Sequence, residues 1–348
     1  YRPPPMQLTP AKFEDVLGKF SSLSIAVVGD LFLDRYLDLD ANLTEKSVET
    51  GLDAYQVVRD RCYPGAAGTV LNNLAALGVG RLEAVSVIGY DGGAYELLRA
   101  LGDIHVGCAH VLQSAARMTP TYTKPMLSQP DGPAAELNRI DIKNRGPQGE
   151  ELDRQVIAHI DTVFGEVDAL VVMDQVDERN NGVVTDTVRE HIAQLGSAHP
   201  EKLIFADSRS QIRLYRNVTT KPNNVELLKS IGVSSQRATD RDAIAAAGQK
   251  LCRTTGRPVY TTLCEAGIVY CDADQTTHIP TVPVTGEIDI VGAGDSTTAG
   301  IVSSLAAGAT SVEAAEIGCL VASITVQQIG VTGTASPEAL RARFQERR

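Results

Sequence analysis

The chain has 348 residues, 43% of them apolar and 22% charged, a balance that supports a large buried core and leaves little room for disorder away from the ends. Its formal net charge of −11, from 32 Lys and Arg against 43 Asp and Glu, excludes the broad cationic footprint that binding a nucleic-acid backbone requires. No run approaches the roughly 18 apolar residues of a membrane span, so a soluble, cytoplasmic protein with neither nucleic-acid nor membrane partners is expected.

Residues 1–22 read as an N-terminal extension, a Pro-rich lead followed by a short polar helix. Ile25-Ala26-Val27-Val28, closed by Gly29-Asp30, is a compact apolar run of the kind that forms a buried first strand. The same pattern recurs at Ala84–Ile88, Ala169–Met173, Leu203–Ala206 and Pro258–Thr262, with helical stretches at Val70–Leu77, Val183–Leu195 and Arg241–Thr254. This alternation predicts an α/β fold: a doubly wound, mostly parallel sheet with helices on both faces. Segments of about 36–62 and 104–141 break the rhythm by alternating apolar and polar positions, which predicts short antiparallel strands forming a small β lid. Helical spacing from Ile301 to Gly308 and from Val312 to Ile329 predicts a mostly helical C-terminal third. The main domain is placed at 23–340, with 341–348 as a tail. The six cysteines lack any C-x-x-C pair and read as reduced core thiols.

Asp289-Ile290-Val291-Gly292-Ala293-Gly294-Asp295 directly precedes a predicted helix at Ser296–Ala307. Gly292, Ala293 and Gly294 free backbone N–H groups to converge on one spot, and the helix start adds positive partial charge, which makes an anion hole. A carboxylate at its lip repels a simply bound phosphate, but it is well placed to take a proton beside a phosphoryl group in transfer. A plain Asp N-cap after a glycine turn accounts for the same residues. The P-loop and dinucleotide patterns are absent, since no G-x-x-x-x-G-K-[ST] occurs and Thr297 stands where a dinucleotide fingerprint needs Gly or Ala.

Lys221-Pro222-Asn223-Asn224-Val225-Glu226 puts an amide and a carboxylate three apart on a first helical turn, suited to orienting Mg²⁺-bound water, or simply to a turn with a dipole-favoured Glu. Gly65-Ala66-Ala67-Gly68, leading to Asn72 and Asn73, lets backbone approach a hydroxyl-rich ligand or a packed helix. Gly29-Asp30-Leu31-Phe32-Leu33-Asp34 places carboxylates past the carboxyl end of the first strand, where open α/β sheets bind ligands; Asp34 is the candidate acceptor for sugar hydroxyls. Arg117, Lys124, Arg139 and Arg209 are candidates for a basic pocket, and the histidines, His105 and His110 among them, receive no role.

In this order, over roughly residues 23–340, the four elements resemble the ribokinase/PfkB carbohydrate kinases, and most of all the bacterial heptose-phosphate kinases in the stretches 29–36, 119–124 and 137–141. The resemblance implies a ribokinase-like fold and an ATP-dependent sugar kinase with Asp295 as base and Gly292–Gly294 as anion hole. It also implies nucleotide and Mg²⁺ contacts at Asn223 and Glu226, further nucleotide contacts at Thr262, Gly267 and Ser323, and K⁺ near Asp289. On the sugar side it implies Asp34, Gly65, Ala66, Asn72 and Arg139, and a homodimer paired through the lid. The chain departs from the family where a Gly-Gly becomes Gly65-Ala66, where an Asn becomes Thr69, and where a Lys-Gly turn in the Asp174–Gly182 loop is replaced. A nucleoside or other small-molecule kinase of the same fold, and a non-catalytic sugar or nucleotide binder, remain alternatives.

Overall fold

The computed structural model describes residues 7–129 and 132–346; the first six residues of the expected extension and the last two of the expected tail lie outside them. In chain order the elements are α1 (Pro10–Gly18), β1 (Ser24–Gly29), β2 (Leu31–Leu39), β3 (Glu45–Lys46), β4 (Asp53–Ala54), β5 (Val57–Ala66), α2 (Ala67–Ala76), β6 (Arg81–Gly89), α3 (Gly92–Asp103) and β7 (Gly107–Ser114). There follow β8 (Thr121–Gln129), β9 (Gly132–Glu136), β10 (Ile140–Ile142), α4 (Glu150–Phe164), β11 (Ala169–Asp174), α5 (Asp186–Ala198), β12 (Leu203–Ser208), β13 (Thr219–Thr220), α6 (Asn224–Ser230) and α7 (Arg241–Thr255). The chain closes with β14 (Val259–Thr262), β15 (Ile268–Cys271), β16 (Thr276–Ile279), α8 (Ala293–Ala306), α9 (Ser311–Thr325) and α10 (Pro337–Glu346).

Nine strands form the main sheet in the order β16-β15-β14-β13-β12-β11-β1-β6-β7, parallel from β7 through β14 and antiparallel at β15 and β16. Period-2 alternation divides the core. Ile25 and Val27 face one layer, with Phe13, Leu71, Val302 and Leu320, whereas Ala26 and Val28 face the other, with Ile160, Ile192 and Leu251. Strands buried on both faces explain why the sequence shows continuous apolar runs at these positions. Each such Val or Ile withdrawn from water contributes about 1.5–3 kcal/mol.

After β1 the chain turns to β6 and β7 on one side, and β11 to β14 lie on the other, so the sheet's topological switch falls between β1 and β11. Here the chain also leaves the main sheet: Asp30 separates β1 from β2, which crosses into a second sheet of order β10-β8-β2-β5, with β9 paired to β8. This is the lid. It is narrower than the segment 104–141 implied, because α3 delivers β7 back beside β6 as a parallel crossover strand of the main sheet. It also starts earlier than residue 36, at Leu31.

Neither expected terminal division marks a break in packing. The Phe13 ring of α1 stacks on Phe344 of α10 at 4.2 Å and 5°, so position 340 falls inside a helix that is part of the core. Buried Glu316 on α9 accepts the amides of Gln7 and Leu8 at 3.0 and 2.8 Å. Helix starts follow local chemistry: Thr310 and Glu313 close a reciprocal capping box on α9, and Asp91 caps α3. No cysteine is in a disulfide; Cys252, Cys271 and Cys319 are buried, while Cys264 is exposed rather than a core thiol. Among the described residues no helix is long and apolar enough to cross a membrane.

Candidate active site

Helix α8 begins three residues earlier than its sequence suggests, at Ala293, with Gly292 as N-cap in the left-handed region (φ 77°) and no side-chain cap. Asp295 therefore stands in the first turn and is not the N-cap, which removes the plain capping explanation. The Gly294 and Asp295 amides have no acceptor within their own helix. They lie at the positive end of a 14-residue helix, the arrangement that attracts an anion.

Beneath this turn lies a charged cluster that sequence reasoning did not single out. Asp207, at the end of β12, pairs with the buried Lys221 at 2.8 Å, and Thr298 of α8 donates to the same carboxylate at 3.3 Å. Burial raises the Asp295 carboxyl, the Asp207 charge raises it further, and Lys221 and Arg209 offset only part, leaving it pushed up to about 7. Burial and Asp207 push Glu226 to about 7 in the same way, against the Asn223 amide, Lys221 and Arg209. Burial alone would lower the Lys221 ammonium, but Asp207, with Glu226 and Asp295 behind it, holds it above its ordinary value. The visible signals were a charge directly after the apolar run Leu203–Ala206 and a lysine directly before Pro222.

Toward the lid, Asp34 lies on β2 between Tyr63 of β5 and Tyr122 of β8. Burial raises its carboxyl, while Lys124, 3.7 Å away, and Arg139 oppose the rise. The Asp34 charge also reaches Asp295 and adds to its rise, so the two carboxylates lie within electrostatic reach of each other. A Cβ at Gly65 would lie 2.7 Å from the Asp34 carboxylate, so only glycine leaves this carboxylate its place. Ala66, the N-cap of α2, is held at φ 54°, ψ −117°, a conformation that favours glycine; the departure from the Gly-Gly pattern is accommodated as backbone strain. The Thr69 methyl lies 3.6 Å from where a Cβ on Gly292 would stand, which brings the second departure against the N-cap of α8. Asn72 is half-buried on α2. Arg139 is exposed, bidentate to Asp141 at 2.7 and 2.8 Å and stacked 4.2 Å from the Tyr122 ring centroid.

On the other flank, Asn223 and Glu226 form a complete capping box: the Asn223 side chain accepts the Glu226 amide at 2.9 Å and Glu226 accepts the Asn223 amide at 2.8 Å. One carboxylate oxygen of Glu226 is thereby spent on the helix start. Thr262 ends β14 and bridges to Asn223, which joins the two expected nucleotide-side segments. Gly267 (φ 92°) turns the chain against β16. Ser323 is buried, its hydroxyl donating to the Leu320 carbonyl at 2.7 Å and accepting from Arg343 at 3.1 Å, so it offers no free group to a nucleotide in this arrangement. Asp289 accepts the amides of Val291 at 3.0 Å and Gly330 at 3.2 Å and so ties the loop before α8 to the chain after α9.

Between lid and sheet, at the switch point, opens a cleft of about 620 Å³. Of the four expected cations, Arg117 and Arg209 line it, together with Lys143 and Asn144, which sequence reasoning missed. Lys124 and Arg139 act instead through Asp34. Among the described residues the Arg209 guanidinium has no hydrogen-bond or ion-pair partner, and its charge is felt by both Asp295 and Glu226. The cleft can therefore hold a polar molecule; Asp34, Asp295 and the start of α8 are not among its lining residues, and Arg209 is the lining residue whose charge reaches Asp295.

Comparison with known proteins gives a consistent result. The bifunctional protein HldE of Trichlorobacter lovleyi is 30% identical over 333 residues, 94% of this chain and 64% of that protein. HldE of Pelobacter propionicus is 28% identical over 94% of this chain and 65% of its own length. The chain thus spans less than two thirds of the length of these relatives. Among solved structures, phosphofructokinase-2 from Escherichia coli in complex with potassium superposes with a TM-score of 0.70 at 19% identity, covering 93% of this chain and 99% of the other. Arabidopsis thaliana ribokinase complexed with ribose and ATP superposes with a TM-score of 0.67 at 17% identity and the same coverage, which extends the likeness in fold. Residues 23–339 match the pfkB family of carbohydrate kinases, and the chain belongs to that family.

Proposed function

We propose that the protein is an ATP-dependent carbohydrate kinase that transfers the γ-phosphoryl group to a hydroxyl of a sugar or sugar phosphate, with heptose 7-phosphate the first acceptor to test. The observation that carries this reading is Asp295, pushed up to about 7 in the first turn of α8, beside free first-turn amides and within electrostatic reach of Asp34. Asp34 binds acceptor hydroxyls, and Asp295 takes the proton of the attacking one. A base with a pKa near the working pH combines adequate ionisation with adequate basicity. The Gly294 and Asp295 amides stabilise charge on the transferring group, and Arg209 and Lys221 add positive field.

Asp207, Glu226 and Asp295 present only oxygen donors; burial raises Glu226 and Asp295, and the Asp207 charge raises each further. Among the described residues no three such side chains cage an ion by themselves, so a hard divalent cation such as Mg²⁺, which favours oxygen donors, would take most of its ligands from water and phosphate. Glu226, with the oxygen its capping bond leaves, and Asn223 would hold it through water and ATP phosphates. For K⁺ the support is the Asp289-fixed loop beside the anion hole and the potassium in the Escherichia coli neighbour. Six cysteines with no disulfide among them and an ATP-consuming role agree with a cytoplasmic setting.

The lid's exposed Val57, Val58, Ile140 and Ile142 support a homodimer in which two lids cover one another. A monomer by light scattering at micromolar concentration counts against it. For catalysis, ADP release is measured with Mg-ATP and K⁺ over free and phosphorylated sugars, alongside Asp295→Asn. A positioned base contributes about 10²–10⁴ in rate, so one sugar stimulates the wild type while Asp295→Asn, still folded and binding ATP, loses turnover by that order. Equal turnover in both proteins removes Asp295 from the mechanism.

A further inference from the structure

Asp30 is 3% exposed and lies where β1 gives way to β2. One carboxylate oxygen accepts the amides of Gln175 and Val176 at 2.8 and 3.1 Å, and the other accepts the amide of Val183 at 2.7 Å. These three donors are the two ends of the loop between β11 and α5. The Asp30 main chain completes the junction: its amide donates to the Met173 carbonyl at 3.0 Å and its carbonyl accepts the Ala67 amide at 2.9 Å. Four segments therefore meet on one residue: the ends of β1 and β11, the start of α2 and the 175–183 loop.

Two further features hold the loop there. A Cβ on Gly182 would lie 2.6 Å from the Asp30 carboxylate, so the loop reaches that carboxylate only because residue 182 has no side chain. From the far side Arg117 donates to the carbonyls of Asn181 and Gly146, and its charge faces Asp30. The held loop is a wall of the cleft, to which it presents Gln175, Asp177, Glu178 and Asn181; Asp177 also accepts the Ser210 hydroxyl at 2.6 Å, which links this wall to the turn carrying Arg209.

We propose that Asp30 is a positioning residue for the acceptor sugar: by gripping both ends of the 175–183 loop it sets the cleft wall opposite the lid and so governs sugar affinity without touching the reacting atoms. The inference rests on the kinase reading above. Asp30→Asn keeps shape but replaces one acceptor oxygen with an NH₂ that confronts an N–H, so at least one loop end is released. Gly182→Ala disturbs the same contact from the loop side.

Steady-state kinetics of wild type, Asp30→Asn and Gly182→Ala, with the sugar the wild type uses, test the proposal. Amide hydrogen exchange at Gln175, Val176 and Val183 is measured on the same proteins. Both variants are expected to raise KM for the sugar about tenfold or more, with KM for ATP nearly unchanged and kcat reduced less, and to speed exchange at the loop amides. A folded variant with unchanged sugar KM overturns the proposal, as does an equal rise in both KM values or unaltered exchange. If Asp30→Asn does not fold, Gly182→Ala decides alone. A wild type that phosphorylates no sugar fails the kinase reading instead, and the loop grip is then judged by exchange.

Discussion

Replacing Asp207 with Asn tests whether the charge cluster beneath α8 sets the working pH of the base. In the structure Asp207 holds Lys221 at 2.8 Å and raises Asp295, while Lys221 lowers it. Asn keeps the shape, removes the repelling charge and leaves the ammonium with Asp295 and Glu226 as its remaining partners. A neighbouring charge close enough to act on a buried carboxyl typically moves its pKa by about 1–3 units, and roughly two units is the shift expected on its removal. The sign is fixed: loss of a neighbouring negative charge favours ionised Asp295, so its pKa falls from about 7 toward the ordinary carboxylate range. The assay is kcat/KM for the sugar across pH, whose acid limb reports the free enzyme's base. At pH 5.5 the wild type should retain only about one thirtieth of its plateau, whereas Asp207→Asn should retain most of its own, lower plateau. An acid limb that stays put, or moves alkaline, refutes the electrostatic account of Asp295.

Ala66→Gly relieves a backbone conformation worth about 1–3 kcal/mol of strain, offset by glycine's greater unfolded-state entropy, so a thermal midpoint about 2 °C higher is expected; a lower midpoint contradicts the assigned strain. The Nδ1 atoms of His110 on β7 and His159 on α4 are 2.9 Å apart, which requires one to donate and the other to accept. Burial, then His110, depresses His159, with Glu83, Glu166 and Arg81 nearby. A folded-state pKa below the unfolded one gives stability that is present above the unfolded value and lost as pH falls. His159→Gln should accordingly lose less urea-midpoint stability than wild type between pH 7.5 and 5.5, and an equal loss in the two proteins contradicts that assignment.

Local chemistry by itself determined a good deal. The apolar runs at 25–28, 84–88, 169–173 and 203–206 are strands because residues buried on both faces leave no polar alternation to find, and all four lie side by side in the main sheet. The glycine-rich heptapeptide announced a helix start with a carboxylate beside it, since that signal depends only on neighbours in sequence. Register and distance decided the rest. Residues 107–114 alternate like lid strands, yet α3 returns them to the main sheet, and no local pattern records which sheet a strand joins. Ser323 looked available, but the arginine that holds its hydroxyl comes from α10, twenty residues further along. Asp207 and Lys221 are unremarkable in sequence because each acquires its role only from the other, from Glu226 and from Asp295, which adjacent parallel strands and the start of α8 bring together. Asp30, likewise, is one acidic residue after a strand until the switch point folds both ends of a loop 145 to 153 positions away onto its carboxylate. Electrostatic energy depends on distance in space and on burial, and both are fixed only when the sheet closes.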